Sequence, residues 1–196
     1  MKKYEEEHYL FENIKTQIYP WVKEELIDHQ VLNGKTFSVD DTPVISFIGN
    51  LKVIFVIKRG EDAYEVLKDN MLPPDFDVAG LFHTACENLV RDVEFVISHT
   101  WYGGFGIVAD GVSEASSILF KHIWSMCADK LEDDLVIMVP AKDIVLFAMA
   151  GDEGKIAKME EYAKEAFERS QDKVSLDMFI FTKEGKELLA YEKQTH

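Results

Sequence analysis

Residues 113 to 149, SEASSILFKHIWSMCADKLEDDLVIMVPAKDIVLFAM, place a mostly apolar helical pattern directly before two runs of β-branched residues. The spacing predicts a helix at about 113 to 130, because apolar side chains cover most of its circumference. Two strands are predicted at 134 to 139 and 143 to 149, with a turn at Pro140-Ala141-Lys142-Asp143 between them. Since so short a turn joins strands antiparallel, the segment predicts one helix followed by a β-hairpin.

This helix-strand-strand order occurs three times from residue 76 onward. The first and third helices are predicted at about 77 to 92 and 154 to 169, with Asp77 and Asp152 as the residues that cap their N-termini. Their strands are predicted at 94–99, 105–109, 176–182 and 186–191. The repeat predicts an α+β fold, with a largely antiparallel sheet and helices packed on one face.

The first 60 residues follow a different pattern. Residues 3 to 30 carry apolar side chains at helical spacing, and Pro20 is predicted to start a second helical segment. Asn33-Gly34 and Gly49-Asn50 are two hairpin signals. The run from Val53 to Ile57 is rich in β-branched residues and predicts a strand covered on both faces.

The length and composition are those of a globular protein. At 196 residues and 47% hydrophobic composition, the chain can bury a sizeable core. We expect one compact domain, made of an N-terminal helical segment at 1 to 30 and an α+β region at 31 to 196. No apolar run approaches the roughly 20 residues that cross a bilayer, and acidic residues soon follow Met1-Lys2-Lys3, so a cytoplasmic protein is expected.

The charge balance narrows the range of partners. There are 36 acidic and 21 basic residues, which give a net charge of −15, and no stretch is rich in lysine and arginine. Such a surface repels phosphate groups, so neither nucleic acids nor anionic membranes are expected as partners. A basic protein surface or a cation stays open as a partner, beside the simpler explanation that the charge maintains solubility.

No metal site and no cofactor are predicted. Cys86 and Cys127 each lie in an apolar helical pattern without the Cys/His spacing of a metal site, and both are expected to be reduced core residues. The acidic clusters of the predicted loops lack the ligand spacing of a calcium site. His83 and His122 lie on separate predicted helices and are expected at or near the surface.

Two motifs in this order resemble a known family. Ala109-Asp110-Gly111-Val112-Ser113-Glu114-Ala115-Ser116 precedes an apolar helix with Trp124, and Val139-Pro140-Ala141-Lys142-Asp143 opens a strand. The likeness covers roughly residues 50 to 192 and is to the YtpQ-like bacterial family, catalogued as a domain of unknown function (group 1444). It implies an α+β fold and no particular activity. Lys142 stands where the family prefers arginine, and lysine cannot hold a carboxylate through two parallel hydrogen bonds.

Ser113 is the candidate nucleophile. Gly111-Val112-Ser113-Glu114-Ala115 approximates the Gly-x-Ser-x-Gly turn of serine hydrolases, which presents a strained serine to a base and an oxyanion hole. The fifth residue is alanine, however, and the only histidines downstream are His122, in the same predicted helix, and His196. Ser113 is therefore interpreted as a helix N-cap whose hydroxyl accepts a backbone N–H.

Two turns carry the residues with the strongest case for binding. Lys142 and Asp143 are expected at a hairpin tip, where they either form an exposed functional pair or only stabilise the turn. The turn Trp101-Tyr102-Gly103-Gly104-Phe105-Gly106 lacks the Gly-Lys-Ser/Thr ending of a phosphate-binding loop. Its aromatic residues either pack over their own hairpin or form a partly exposed patch that recruits a peptide or a second subunit.

Three functions are compatible with these residues, and no catalytic residue is assigned. The leading hypothesis is a non-enzymatic domain that binds or scaffolds an unidentified protein or peptide. The residues predicted to bind are Trp101, Tyr102, Phe105, Ser113, Glu114, Lys142 and Asp143. The alternatives are a hydrolase or metal-dependent enzyme that uses Ser113 or loop carboxylates with His122, and a homodimer that presents a composite surface.

Overall fold

The computed structural model describes residues 11–24, 26, 31–32, 35–36 and 38–192, and the chain divides into two compact units. The first unit comprises the residues up to Phe47 together with Lys52–Val93. The second comprises Ile48–Leu51 and the residues from Glu94 onward. The predicted boundary at residue 30 lies outside the described residues.

A central strand organises the first unit. Its strands are β1 (Ile18–Lys23), β2 (Val31–Leu32), β3 (Lys35–Thr36), β4 (Ile45–Ser46), β5 (Lys52–Lys58) and β6 (Tyr64–Val66). β5 pairs antiparallel with β1, β4 and β6, while β2 pairs antiparallel with β3. The residues from Val53 to Ile57 are fully buried, which confirms the prediction of a strand covered on both faces. The strands around both hairpin signals pair as predicted, although Asn33-Gly34 itself lies outside the described residues.

β1 shows that the prediction of a second N-terminal helix is wrong. Residues 11 to 14 are helical and a 3-10 turn follows, but Ile18–Lys23 is a buried strand in which Pro20 lies opposite Phe55 of β5. The misleading signal was the spacing of apolar residues four apart. A strand buried on both faces lacks the alternation of an exposed strand, so its pattern resembles that of a buried helix.

Helix α1 (Val78–Asp92) packs against β1 and begins at the predicted cap. The Asp77 carboxylate accepts hydrogen bonds from the backbone N–H groups of Ala79 and Gly80. The buried side of the helix is formed by Leu81, Ala85, Asn88 and Leu89. Asp77 therefore satisfies two of the N–H groups that have no partner within the helix.

Asn88 of α1 forms hydrogen bonds with the backbone at the start of β1. Its amide Nδ2 donates to the carbonyl oxygens of Lys15 at 2.7 Å and Ile18 at 2.9 Å. The Arg91 guanidinium donates to Asn88 Oδ1 at 3.0 Å and to the carbonyl oxygen of Thr16 at 2.9 Å. This network supplies donors to carbonyl groups at the point where the helical turn gives way to the strand.

Replacing Asn88 by alanine should lower the free energy of unfolding by about 1–3 kcal/mol, because a buried and a partly buried carbonyl group lose their donors. Urea denaturation followed by circular dichroism measures the loss. Glu87→Ala, at the exposed neighbouring position, is the matched control and should change the free energy by less than about 0.5 kcal/mol. Equal effects of the two substitutions would contradict this role of Asn88.

The second unit is built on one six-stranded antiparallel sheet. Its strands are β7 (Val96–His99), β8 (Phe105–Val108), β9 (Leu135–Ala141), β10 (Ile144–Met149), β11 (Met178–Thr182) and β12 (Glu187–Ala190). They lie in the order β12-β11-β9-β10-β8-β7. Each pair of strands follows a helix in the chain, which confirms the α+β class and the three helix-strand-strand repeats.

Helices α2 (Lys121–Leu131) and α3 (Glu153–Arg169) lie on opposite faces of this sheet. Leu146 and Ala148 of β10 share a buried cluster with residues of α3. Phe147 lies between them in the strand and points to the other face, where its ring meets the edge of Trp124 of α2 with centroids 5.4 Å apart. The sequence predicted helices on one face, whereas this sheet carries a helix on each.

The helix predicted at 113 to 130 consists of two segments, the 3-10 helix Glu114–Leu119 and α2. The Ser117 carbonyl accepts both the N–H of Phe120 and the indole N–H of Trp124, each at 3.1 Å. The indole therefore fixes the point at which the chain changes direction. Glu114 and Ser117, two polar residues of the 3-10 segment, are both buried.

Candidate functional site

The β7–β8 hairpin is closed by a three-residue loop whose shape depends on glycine. Gly103 N donates to the Thr100 carbonyl at 3.1 Å, and Thr100 N donates to the Gly104 carbonyl at 3.0 Å. Gly103 has a φ of 83°, a left-handed conformation that glycine adopts readily. A Cβ at position 104 would lie 2.2 Å from the Tyr102 ring and 2.8 Å from the Phe147 carbonyl oxygen, so only glycine fits there.

Trp101 stands at the tip of this hairpin and is 71% exposed. Its ring is in edge contact with Tyr102 and with Tyr162 of α3, at 6.0 Å between centroids in each case. Tyr102 itself is buried, which raises the pKa of its phenol to about 12, and its hydroxyl donates to the Phe105 carbonyl at 2.7 Å. Phe105 is half-buried and stacks on Phe147. Of the three aromatic residues predicted to bind, Trp101 is thus the one that is presented to solvent.

The same hairpin carries three further exposed apolar side chains. Val96 and Val108 face each other across β7 and β8 and are 50% and 52% exposed, and Ile97 points to the opposite face. We call Val96, Ile97, Trp101 and Val108 the hairpin patch. The three aliphatic members were not predicted to bind, because the sequence shows apolar residues on both faces of these strands and does not reveal which strand ends the sheet.

The other predicted binding residues lie around the two sequence motifs, which meet where Ala115 N donates to the Lys142 carbonyl at 2.9 Å. Glu114 is buried, and its Oε1 accepts the N–H groups of Ala109 and Gly111, both at 2.9 Å. Its Oε2 is buried without a hydrogen-bond partner. The Glu114 carboxylate therefore holds the loop that leads into the 3-10 helix.

The interpretation of Ser113 as an N-cap is wrong. Its hydroxyl donates to Asp110 Oδ2 at 3.0 Å and makes no capping hydrogen bond. Asp110 Oδ1 accepts the backbone N–H groups of Val112 at 3.0 Å and Ser113 at 2.8 Å. The Asp110 carboxylate therefore holds the turn that precedes the 3-10 helix, because a carboxylate accepts several hydrogen bonds at once.

Lys142 and Asp143 form the turn between β9 and β10, as predicted, but Lys142 is held by contacts within the fold. Its ammonium group lies 3.0 Å from Asp172 Oδ2, and its backbone N–H donates to the Asp172 carbonyl at 3.0 Å. Pro140 belongs to β9, not to the turn, and its carbonyl accepts the N–H of Val174 at 3.0 Å. Asp143 is exposed. The predicted pair is thus split into an ion-paired lysine and a solvated aspartate.

The described residues do not bring a histidine to Ser113. His122 lines a shallow surface pocket of about 580 Å³ together with Leu119, Phe120, Lys121, Ser125 and Lys186. Ser113 does not line this pocket, and Lys186 is ion-paired with Asp129. Within residues 11–24 and 38–192, no group of three or more histidine, cysteine, aspartate or glutamate side chains is arranged to hold a metal ion.

The two thiols are in apolar surroundings. Burial raises the pKa of Cys86 to about 12 and that of Cys127 to about 11. Both cysteines are free, Cys127 in the core and Cys86 half-buried. At neutral pH both are protonated and therefore poor nucleophiles.

No protein-family model, curated protein or solved structure matches this chain. The resemblance to the YtpQ-like family therefore stays a prediction. In the part of the chain that the structure describes, no helix has both the length and the apolar character needed to cross a membrane.

Proposed function

We propose that this chain is a non-enzymatic domain that binds another protein through the hairpin patch. The observation that carries the proposal is the exposure of Trp101, since tryptophan is among the residues that dominate binding energy at protein interfaces. Val96 and Val108, exposed on one face of the same hairpin, add apolar surface that a partner would remove from water.

The geometry around Trp101 favours binding because the side chain is already held in place. Tyr102 and Tyr162 support its ring from two sides, and the glycine loop fixes the backbone beneath it. A side chain that is ordered before the partner arrives loses little conformational entropy on binding. The support residues come from both the hairpin and α3, so the sheet and the helix together position the tryptophan.

The partner's chemistry follows from charge. A net charge of −15 disfavours nucleic acid and anionic lipid and favours a protein or peptide with basic residues. We also propose that this interaction takes place in the cytoplasm. The rival enzymatic function has less support, because Ser113, Glu114 and Lys142 are all occupied in internal contacts.

Trp101→Ala should weaken the binding of selected peptides at least about tenfold, which corresponds to about 1.4 kcal/mol. A library of random twelve-residue peptides is displayed and selected on the wild-type chain, and the affinities of the recovered peptides are measured by fluorescence polarisation. The matched control is Met126→Ala, since Met126 is 56% exposed on α2 of the same unit and lies outside the patch.

The control should bind the same peptides within about twofold of the wild-type affinity. Peptides that bind wild type and Trp101→Ala equally well would contradict the proposal. So would a selection that recovers no peptide at all.

A further inference from the structure

The outer strand of the hairpin directs half of its backbone groups away from the sheet. Thr100 N bonds to the Gly104 carbonyl, and hydrogen-bonded residues alternate along an antiparallel strand. The register of β7 and β8 therefore makes Ser98 and Val96 the residues that bond across to β8. The N–H and carbonyl groups of the alternate residues, Ile97 and His99, then point to the edge. β7 ends the order of the six-stranded sheet, and all four of its residues are exposed.

This edge lacks the usual protection against pairing. Edge strands in monomeric proteins commonly carry lysine or proline, which blocks the approach of another strand. From residue 95 to residue 109 the chain has no lysine, arginine, aspartate, glutamate or proline. The opposite edge strand, β12, begins with Glu187 and directly follows Lys186, so its charged residues provide the protection that β7 lacks.

We propose that the partner binds as an extended basic segment that adds a strand to the sheet along β7. This inference rests on the proposed function and specifies how the hairpin patch is used. Backbone groups of Ile97 and His99 form the new ladder. Alternate side chains of the partner pack on the face of Val96 and Val108, and the segment runs from there along β7 towards the tip where Trp101 stands.

The charges of the hairpin favour a basic occupant over a second copy of the chain. Glu94 and Asp110 are both exposed, and each lies two residues beyond the last pair of the ladder, Val96 and Val108, so both add negative charge beyond that end of the hairpin. Lysine or arginine in the added segment would lie beside these carboxylates. A second copy would carry the same net charge of −15, so the two copies would repel each other.

Ile97→Pro tests the edge directly, because it removes an outward N–H without breaking the ladder between β7 and β8. The probes are the library peptides whose affinity depends on Trp101. We expect Ile97→Pro to weaken their binding at least about tenfold. The matched control is Ala190→Pro on β12, where the bond from Tyr191 N to the Met178 carbonyl shows that the Ala190 N–H also points outward. This control should bind within about twofold of wild type.

A second experiment changes the peptides and leaves the protein as the wild type. Each peptide is synthesised in two versions, with N-methyl groups on one or the other set of alternate residues. Only methylation of the residues whose N–H groups face β7 should abolish binding, because it removes the donors of the new ladder. The bound peptides should carry a net positive charge, and exchange of their lysine and arginine residues for glutamate should weaken binding at least about tenfold.

The outcomes separate this inference from the proposed function. Trp101-dependent peptides that bind Ile97→Pro normally and tolerate both methylation patterns would overturn strand addition and leave the protein-binding function standing. Acidic peptides would overturn the basic occupant. A wild-type dimer in light scattering that Ile97→Pro dissociates would assign the edge to a second copy instead. If no peptide depends on Trp101, both proposals fail.

Discussion

Replacing Trp124 by alanine should lower the free energy of unfolding by about 3–5 kcal/mol, the range for loss of a fully buried large aromatic side chain. Trp124 is completely buried, and its ring is in perpendicular, T-shaped contact with Phe147 in the middle of the sheet. The substitution also removes the indole N–H that donates to the Ser117 carbonyl. Urea denaturation followed by far-ultraviolet circular dichroism measures the effect without relying on the fluorescence of the residue removed.

Met126→Ala is the matched control for this experiment. Met126 belongs to the same helix, two residues further on, but is 56% exposed. Because alanine is the best helix former, the control should change the free energy of unfolding by less than about 0.5 kcal/mol. A loss below about 1 kcal/mol for Trp124→Ala would show that α2 does not anchor the sheet as described.

The second large effect is expected for Glu114→Ala, which should lower the free energy of unfolding by about 2–4 kcal/mol. The carboxylate accepts two backbone N–H groups of the loop before the 3-10 helix, and hydrogen bonds to a charged group contribute about 1.5–3 kcal/mol each. Alanine leaves both donors without this acceptor. Glu114→Gln keeps an oxygen at the same position, so it should restore at least half of the lost stability.

Ser113→Ala provides the matched control one residue away. The serine hydroxyl makes a single hydrogen bond to Asp110, which keeps its two backbone donors when the hydroxyl is removed. We expect a loss of about 1 kcal/mol or less. A large loss for Ser113→Ala with a small one for Glu114→Ala would reverse the roles that the structure gives these two residues.

Much of the second half of the fold is predictable from local sequence. Asp77 and Asp152 mark helix starts, and both accept the backbone N–H groups expected of a cap. The strands of three hairpins follow from short β-branched runs around turn residues. These signals succeed because they depend on neighbours in the chain, and a capping carboxylate or a glycine turn needs little from the rest of the fold.

The secondary-structure predictions that proved wrong are those in which tertiary contacts determine the local conformation. Pro20 lies in a strand because β5 pairs with it, and nothing near Pro20 in the chain indicates that partner. The two segments of the middle helix are separated at Phe120, where the Trp124 indole occupies a carbonyl one turn earlier. Neither a distant strand nor a side chain that folds back on its own helix can be inferred from apolar spacing alone.

The candidate site likewise contains one residue that the sequence indicates and three that it does not. Trp101 could be singled out from sequence, together with Tyr102 and Phe105, because these aromatic residues flank the two glycines of a predicted hairpin turn. Val96, Ile97 and Val108 could not, since their exposure depends on β7 being the last strand of the sheet. The useful signal is the run without charged residues from 95 to 109, which is unusual for a strand at an edge.

The placement of the two thiols has a practical consequence. Cys86 lies in the first unit and Cys127 in the second, and each is shielded enough to raise its pKa well above neutrality. Alkylation at neutral pH is therefore slow in the folded state and faster when the surrounding region opens, so the modified peptide identifies which unit opened. The native chain thus contains its own pair of reporters, with which the opening rates of the two units can be timed separately.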